Sequence, residues 1–281
     1  MSQLGKRAVL MRLTKGMPGE FRQDKDFSEE VQTEHNLGAK SGKWVKALFP
    51  PEALKAIKEL DGKAEAFHNA VTLPFDKGIG ILPAAMIVEY TDRMRDFREK
   101  RKMLVESTFI AKYDEFVAWA KQNHNGTFDE SLYPPVEEMR TKFYFRTEPL
   151  PVPDIQHFES NVKELVGLDA ETVNVRIEDA TKEGQRELLK RMIEPLQHMA
   201  QTLAKEKPRI FDTLVSNIEE IAALAPKMNL TDDAQINAFA AEMKTLAEAV
   251  DPDKLRKSVN IRTAAQVKAD ALFKRVSGYR L

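Results

Sequence analysis

Five histidines, His35, His68, His124, His157 and His198, are the residues of this 281-residue chain best suited to metal binding or acid–base chemistry. Their spacing argues against both. No two stand one helical turn apart, no HExxH occurs, and no carboxylate–histidine run has metal-ligand spacing. Cysteine is absent, which removes thiolate ligands, disulfides and a cysteine nucleophile, and fits a reducing compartment. GxSxG, a Walker A loop and a dinucleotide fingerprint are missing too. The GIG at 78–80 lacks the lysine and spacing of a phosphate loop and reads as turn chemistry. Carboxylates are plentiful, but they sit in charged helical patterns typical of a solvated face. The expectation is a protein without catalytic centre, metal or cofactor, its histidines in surface or capping roles. A site assembled from dispersed carboxylates is the enzymatic alternative.

Charge patterning offers two places where binding chemistry can be built. The run RMRDFREKRK, Arg93 to Lys102, carries six bases against Asp96 and Glu99. On a helix, positions 94, 97 and 101 share one stripe, whereas Arg95, Arg98 and Lys102 share another and would present a basic strip to nucleic acid. The competing reading is ion pairing with Asp92, Asp96, Glu99 and Glu106. The second place is the C-terminus. Residues 210–250 carry seven acids and two bases, and residues 251–281 carry eight bases and three acids. Phe273 and Tyr279 lie among those bases, a mixture suited to phosphate contact with base stacking. Lys268, Lys274, Arg275 and Arg280 are therefore nucleic-acid candidates. Two other readings stay open: the tail folds onto the acidic segment of its own chain, or it docks on that segment of a neighbouring subunit. Glu219 and Glu220 are the self-association candidates on the last reading.

Net charge is −1, so no global field drives the chain onto nucleic acid or an anionic membrane, and polyanion binding must be local. No signal-like run or membrane-length apolar stretch, which needs roughly 18 residues, is present. A soluble protein of the bacterial host cytosol, with no membrane partner, is expected.

The elements that must position these charges read as mainly helical. KRAVLMRLT (6–14) reads as a strand, with Gly16, Pro18 and Gly19 turning it into a hairpin toward Phe21. This ribbon either pairs at the edge of a small sheet or reaches a neighbouring subunit. Pro50-Pro51 opens a helix carrying Leu54, Ile57, Leu60, Ala64, Phe67 and Val71 at helical spacing. Residues 72–83 read as a loop. The chain's longest helix is expected from Pro83 to about Gln122, ended by Asn125-Gly126. Then follow a short helix to Thr141, a strand at 142–147, a helix from Asp154 to Leu168, and a strand at 171–177 with Val173, Val175 and Ile177 on one face. The rest is helical, with Pro195 as a kink, Pro208 as an opening, Pro226 as a stop and Thr231-Asp232-Asp233 as a cap. Phe211, Leu214, Ile218, Ile221 and Leu224 form one core stripe, and Ile236, Phe239, Met243, Leu246 and Val250 a second.

Several landmarks together resemble a known family. AFHNAVTLPFDKGIGILPAAMIVEY (66–90), YDEFVAWAKQN (113–123), SLYPPVEEMRTKFYF (131–145) and LPVPDI (150–155) are similar to a family of unknown function found in tailed-phage and prophage genomes. The resemblance covers roughly residues 40–180 and rests on structural punctuation, so it carries over no catalytic residue. Genes of that family sometimes neighbour MoxR-type AAA+ ATPases and von Willebrand-type proteins, which implies an ATPase partner by association.

These readings converge on a mainly α fold with a small β element, an elongated helical bundle around a long central helix. Three stretches are expected: an N-terminal β-ribbon or arm (1–48), a helical core with a small strand element (49–180), and a C-terminal helical region with a basic tail (181–281). The expected function is a non-enzymatic, phage-type helical protein that self-associates as a structural or accessory factor, with DNA as a candidate partner. The alternative is a single-strand nucleic-acid-binding protein or an adaptor of an AAA+ ATPase.

Overall fold

The computed structural model describes residues 3–38, 41–154 and 169–281; the helix expected over 154–168 lies, beyond Asp154, outside them. Of the described residues 67% are helical, with a small antiparallel sheet, so the class is mainly α plus a small β element. The described elements are α1 (Gln3–Arg7), β1 (Ala8–Gly16), β2 (Phe21–Gln23), α2 (Lys25–Glu34), β3 (Val45–Ala47), α3 (Lys55–Val71), β4 (Leu73–Asp76), β5 (Ile79–Pro83), α4 (Ile87–Leu104), α5 (Tyr113–His124), α6 (Val136–Thr141) and β6 (Tyr144–Leu150). After them come α7 (Ala170–Leu203), α8 (Thr213–Met228), α9 (Ala234–Glu248), α10 (Pro252–Lys257) and α11 (Val259–Gly278). Contacts gather the chain into two interleaved units, one of residues 1–12, 68–90 and 148–281, the other of 13–67 and 91–147. The sequence reading instead divided it at 48/49 and 180/181.

The four-stranded sheet runs β4-β5-β1-β6. β1 pairs antiparallel with β5, from Ala8 opposite Pro83 to Arg12 opposite Ile79. The expected hairpin from β1 to Phe21 does not form; β2 pairs with β3 instead. Side-chain burial decides this. Leu10 faces Ile81 and both are buried, whereas Phe21 has no core to enter and stays exposed. Residues 72–83 are likewise a hairpin, not a loop: Lys77-Gly78 makes the turn, with Gly78 at φ +73°. Pro74 is tolerated because β4 is an edge strand.

The core of the first unit is helical. Leu188, Met192, Leu196 and Met199 line α7, and Leu214, Ile218 and Ile221 line α8. All five residues of the expected α9 stripe are buried. α11 packs against α7 and α9. The strand expected at 171–177 is the first turns of α7. Asp169 caps that helix by accepting from the Thr172 N–H at 2.6 Å, and Val173 and Ile177, one turn apart, are buried while Val175 is exposed. Alternating β-branched residues fit both periods, and the cap decides between them. α7 also runs unbroken through Pro195 and, at 34 residues, is the longest regular helix described. Pro208 precedes α8 by several residues, and Pro226 lies inside its last turn.

In the second unit Leu54, Ile57, Phe109, Phe116 and Met139 build a separate core. Helical structure runs through 91–127 of this unit, but Val105–Phe109 form a π-turn and Ile110–Lys112 a 3-10 turn. The reason is arithmetic. Buried positions 101, 105, 109 and 113 step by four, which gains about 40° per step on an α-helix; a wider turn absorbs the drift. Arg101, on the expected apolar stripe, is buried, and its guanidinium bonds both Asp61 oxygens at 2.7 and 3.1 Å and the Gly16 carbonyl at 2.7 Å.

Candidate anion-binding surface

The sequence candidates fall in both units. On α4, Arg95 pairs with Asp92 at 3.2 Å, Arg98 donates to Thr147 Oγ1 at 3.1 Å, and Lys102 is exposed. In the other unit, Lys268 is exposed and Lys274 bonds Asp270 one turn back at 2.6 Å. Arg275 grips Glu242 of α9 through two nitrogens, at 2.5 and 2.8 Å, and lies over the Phe239 ring. Arg280 reaches the Ser277 and Tyr279 carbonyls at 3.4 Å. Within the chain, the tail thus meets the acidic segment through Arg275 on Glu242 and Tyr279 on Asp233. Glu219 and Glu220 are exposed on α8.

Two expectations for side chains are corrected here. Phe273 and Tyr279 do not stand free for stacking, because Phe273 of α11 and Tyr279 just past its end are partly buried against the core. The Tyr279 hydroxyl donates to Asp233 at 2.7 Å. Burial pushes the Asp233 carboxyl up, but the Tyr279 hydroxyl and two backbone N–H groups outweigh it and hold it below the usual carboxylate range. His68 is neither a surface nor a capping residue; it is buried with Nδ1 2.9 Å from the Tyr90 hydroxyl, and burial pushes that phenol up. Among the described residues no group of three or more His, Asp or Glu is placed to hold a metal ion.

The most distinctive surface was missed in the sequence. α7 ends at Leu203, and the connection to α8 reads AKEKPRIFD. Buried Ile210 anchors it. From α10, Arg256 Nε donates to the Ile210 carbonyl at 2.9 Å, while its other nitrogens bond Asp212 and Asp253. Pinned there, the connection turns Lys205, Lys207 and Arg209 outward, none ion-paired among the described residues. With His198, Thr202 and Phe211 they line a cleft of 410 Å³ in which no carboxylate takes part. Phe211, assigned by periodicity to the core stripe, is 68% exposed because it precedes the helix and escapes its period. The signal that could have found the site is a KEKPRIF run holding three bases and an aromatic between two helices.

Comparison with protein-family models, curated proteins and solved structures gave no match for this chain. No helix described is long and apolar enough to cross a membrane.

Proposed function

We propose that this is a non-enzymatic helical accessory protein that holds single-stranded nucleic acid against the 204–212 connection and neighbouring α10. One observation carries the reading. Lys205, Lys207 and Arg209 are exposed cations without ion pairs among the described residues and line one cleft with an exposed phenylalanine, while Lys254 and Lys257 are exposed on α10, whose Arg256 holds the connection. That combination supplies phosphate contacts and a stacking ring. The tail cations Lys274 and Arg275 are already held by the chain's own carboxylates.

The test compares two triple variants on labelled oligothymidylate over a range of salt. Lys205→Ala, Lys207→Ala and Arg209→Ala together should weaken binding and flatten the slope of log K against log salt by about 2, since single strands lose roughly 0.7 per contact. Lys274→Ala, Arg275→Ala and Arg280→Ala together should bind nearly as wild type. The reverse ranking would return the function to the tail.

A second reading, self-association, is favoured by α11, whose outer flank exposes Val259 and Val267 beside Ala264 and Ala271. Val267→Lys should then reduce the mass seen by light scattering, and charge reversal at Glu219 and Glu220 tests the acidic side. The elongated bundle anticipated from helix length belongs to the same reading and would raise the frictional ratio.

A further inference from the structure

We infer that the outer edge of β2 takes up an extended segment of a protein partner, one that alternates basic and apolar residues and adds a third strand to the β2–β3 ribbon. The inference is independent of the nucleic-acid reading, which concerns the other unit. The ladder decides which backbone groups stay open. The Asp24 N–H donates to the Trp44 carbonyl at 3.1 Å and the Leu48 N–H to the Glu20 carbonyl at 2.7 Å, so residues 20, 22 and 24 turn their N–H and C=O groups toward β3. Phe21 and Gln23, in between, turn theirs away from it, and neither backbone makes a hydrogen bond among the described residues. Open donors and acceptors at this spacing are the template that strand addition uses. Free edges are commonly blunted by proline or a bulge; β2 has neither, and it sets a phenylalanine there, 63% exposed.

Side chains then choose the partner. Strand residues alternate between faces, so Phe21 and Gln23 share one face of the ribbon with Val45 and Ala47, and Phe21 and Val45 on it are exposed. α2 lies on the opposite face, where the Phe27 ring meets that of Trp44 with centroids 4.9 Å apart. Along α2, Asp26, Glu30 and Glu34 follow one another at steps of four, exposed and without ion pairs among the described residues. Asp26 and Glu30 join Phe21, Gln23 and Phe128 in lining a groove of 980 Å³ beside β2. Lys46 lines it too, but its ammonium is held by Asp24 at 3.0 Å and by the Thr127 carbonyl at 2.7 Å. The other lining bases, Arg22 and Lys25, are outnumbered by Asp26, Glu30 and Asp129. A strand added at β2 therefore sets every second side chain beside Phe21 and the others toward the carboxylates of α2. That selects apolar and basic residues in alternation.

Fluorescence anisotropy of the full chain with a labelled Lys-Val-Lys-Thr-Lys-Val peptide tests this, beside the same peptide with glutamate in place of lysine. The lysine peptide should bind and the glutamate peptide should not. Of two forms N-methylated at one or the other alternate set of residues, the one that loses the N–H groups facing β2 should fail to bind. Gln23→Pro removes an edge N–H that the β2–β3 ladder does not use, and should weaken the lysine peptide about tenfold. Phe21→Ser, at a side chain already in solvent, guards against a fold defect in the proline variant and should weaken binding severalfold. Asp26→Asn with Glu30→Gln should weaken binding at low salt and lessen its salt dependence. No binding at millimolar peptide, equal binding of the glutamate peptide or of both N-methylated forms, or wild-type affinity in Gln23→Pro or Phe21→Ser overturns the inference. So does an assembly in light scattering that Gln23→Pro dissociates, which gives the edge to a second copy of this chain. Oligothymidylate binding should be unchanged in Gln23→Pro, so the two proposals fail separately.

Discussion

Arg101 is one of six bases in a ten-residue run, yet it alone of them lies in the core, 4% exposed at its side chain and matched by Asp61 at 4%. Composition cannot single it out; its place on the 94–97–101 stripe does, although charge patterning had drawn attention to the opposite flank. Tyr113 and Tyr133 carry the same theme of a polar tip on a buried body. Burial pushes both phenols up to about 12. They donate to the Pro134 and Leu48 carbonyls at 2.9 and 3.0 Å. Because the folded values lie above the unfolded value of about 10, their contribution is complete below pH 10 and is lost as pH rises through 12. Tyr133→Phe should cost about 1 kcal/mol at neutral pH, since the Leu48 carbonyl loses its donor, and should make the alkaline decline shallower. Urea unfolding at neutral and alkaline pH measures both; parallel declines in variant and wild type would remove burial of this phenol as the cause.

At the level of elements, most helices declared themselves by period, and the strands expected at 6–14 and 142–147 are β1 and β6, whereas the one expected at 171–177 is helical. The α9 stripe was legible in full because five apolar residues at helical spacing follow an acidic cap. Asp233 is that cap, accepting from the Gln235 and Ile236 N–H groups at 2.8 and 3.2 Å. Asp233→Ala should therefore cost about 1–2 kcal/mol, read from a shifted urea midpoint, and should also free the Tyr279 hydroxyl. A midpoint unchanged from wild type would mean that α9 does not depend on its cap. The β4–β5 hairpin was illegible for a different reason. Two prolines and two glycines normally punctuate loops, and pairing with β1, distant in sequence, extends the ladder of β4 and β5 into a sheet.

At the scale of the whole molecule, the two cores share no residue. Leu188 and Ile57, both fully buried, sit one in each. Leu188→Ala should cost about 2–5 kcal/mol and lower hydrogen-exchange protection in 170–281 first, whereas Ile57→Ala should act first on 55–67 and 91–124. Uniform loss from either variant would show a single cooperative body. This division was not legible in the sequence, because each unit is assembled from separated stretches and no linker composition marks the changes at 12/13, 67/68, 90/91 and 147/148. The cleft lined by Lys205, Lys207 and Arg209 shared that fate: its lining comes from a helix end, a connection and a helix start, none of which carries a motif.

The interleaving also imposes an order of events on synthesis. By the time Thr147 leaves the ribosome, every residue of the second unit has been made, whereas β1, β4 and β5 of the first still lack α7 to α11, which supply most of their core. Leu73 must then wait until Gly184 of α7, which packs against it, is made about 40 residues later, a few seconds at about 5–20 residues per second. The nascent sheet is the part of this chain most in need of a chaperone, and a ribosome-stalled chain ending at 147 should present it for capture.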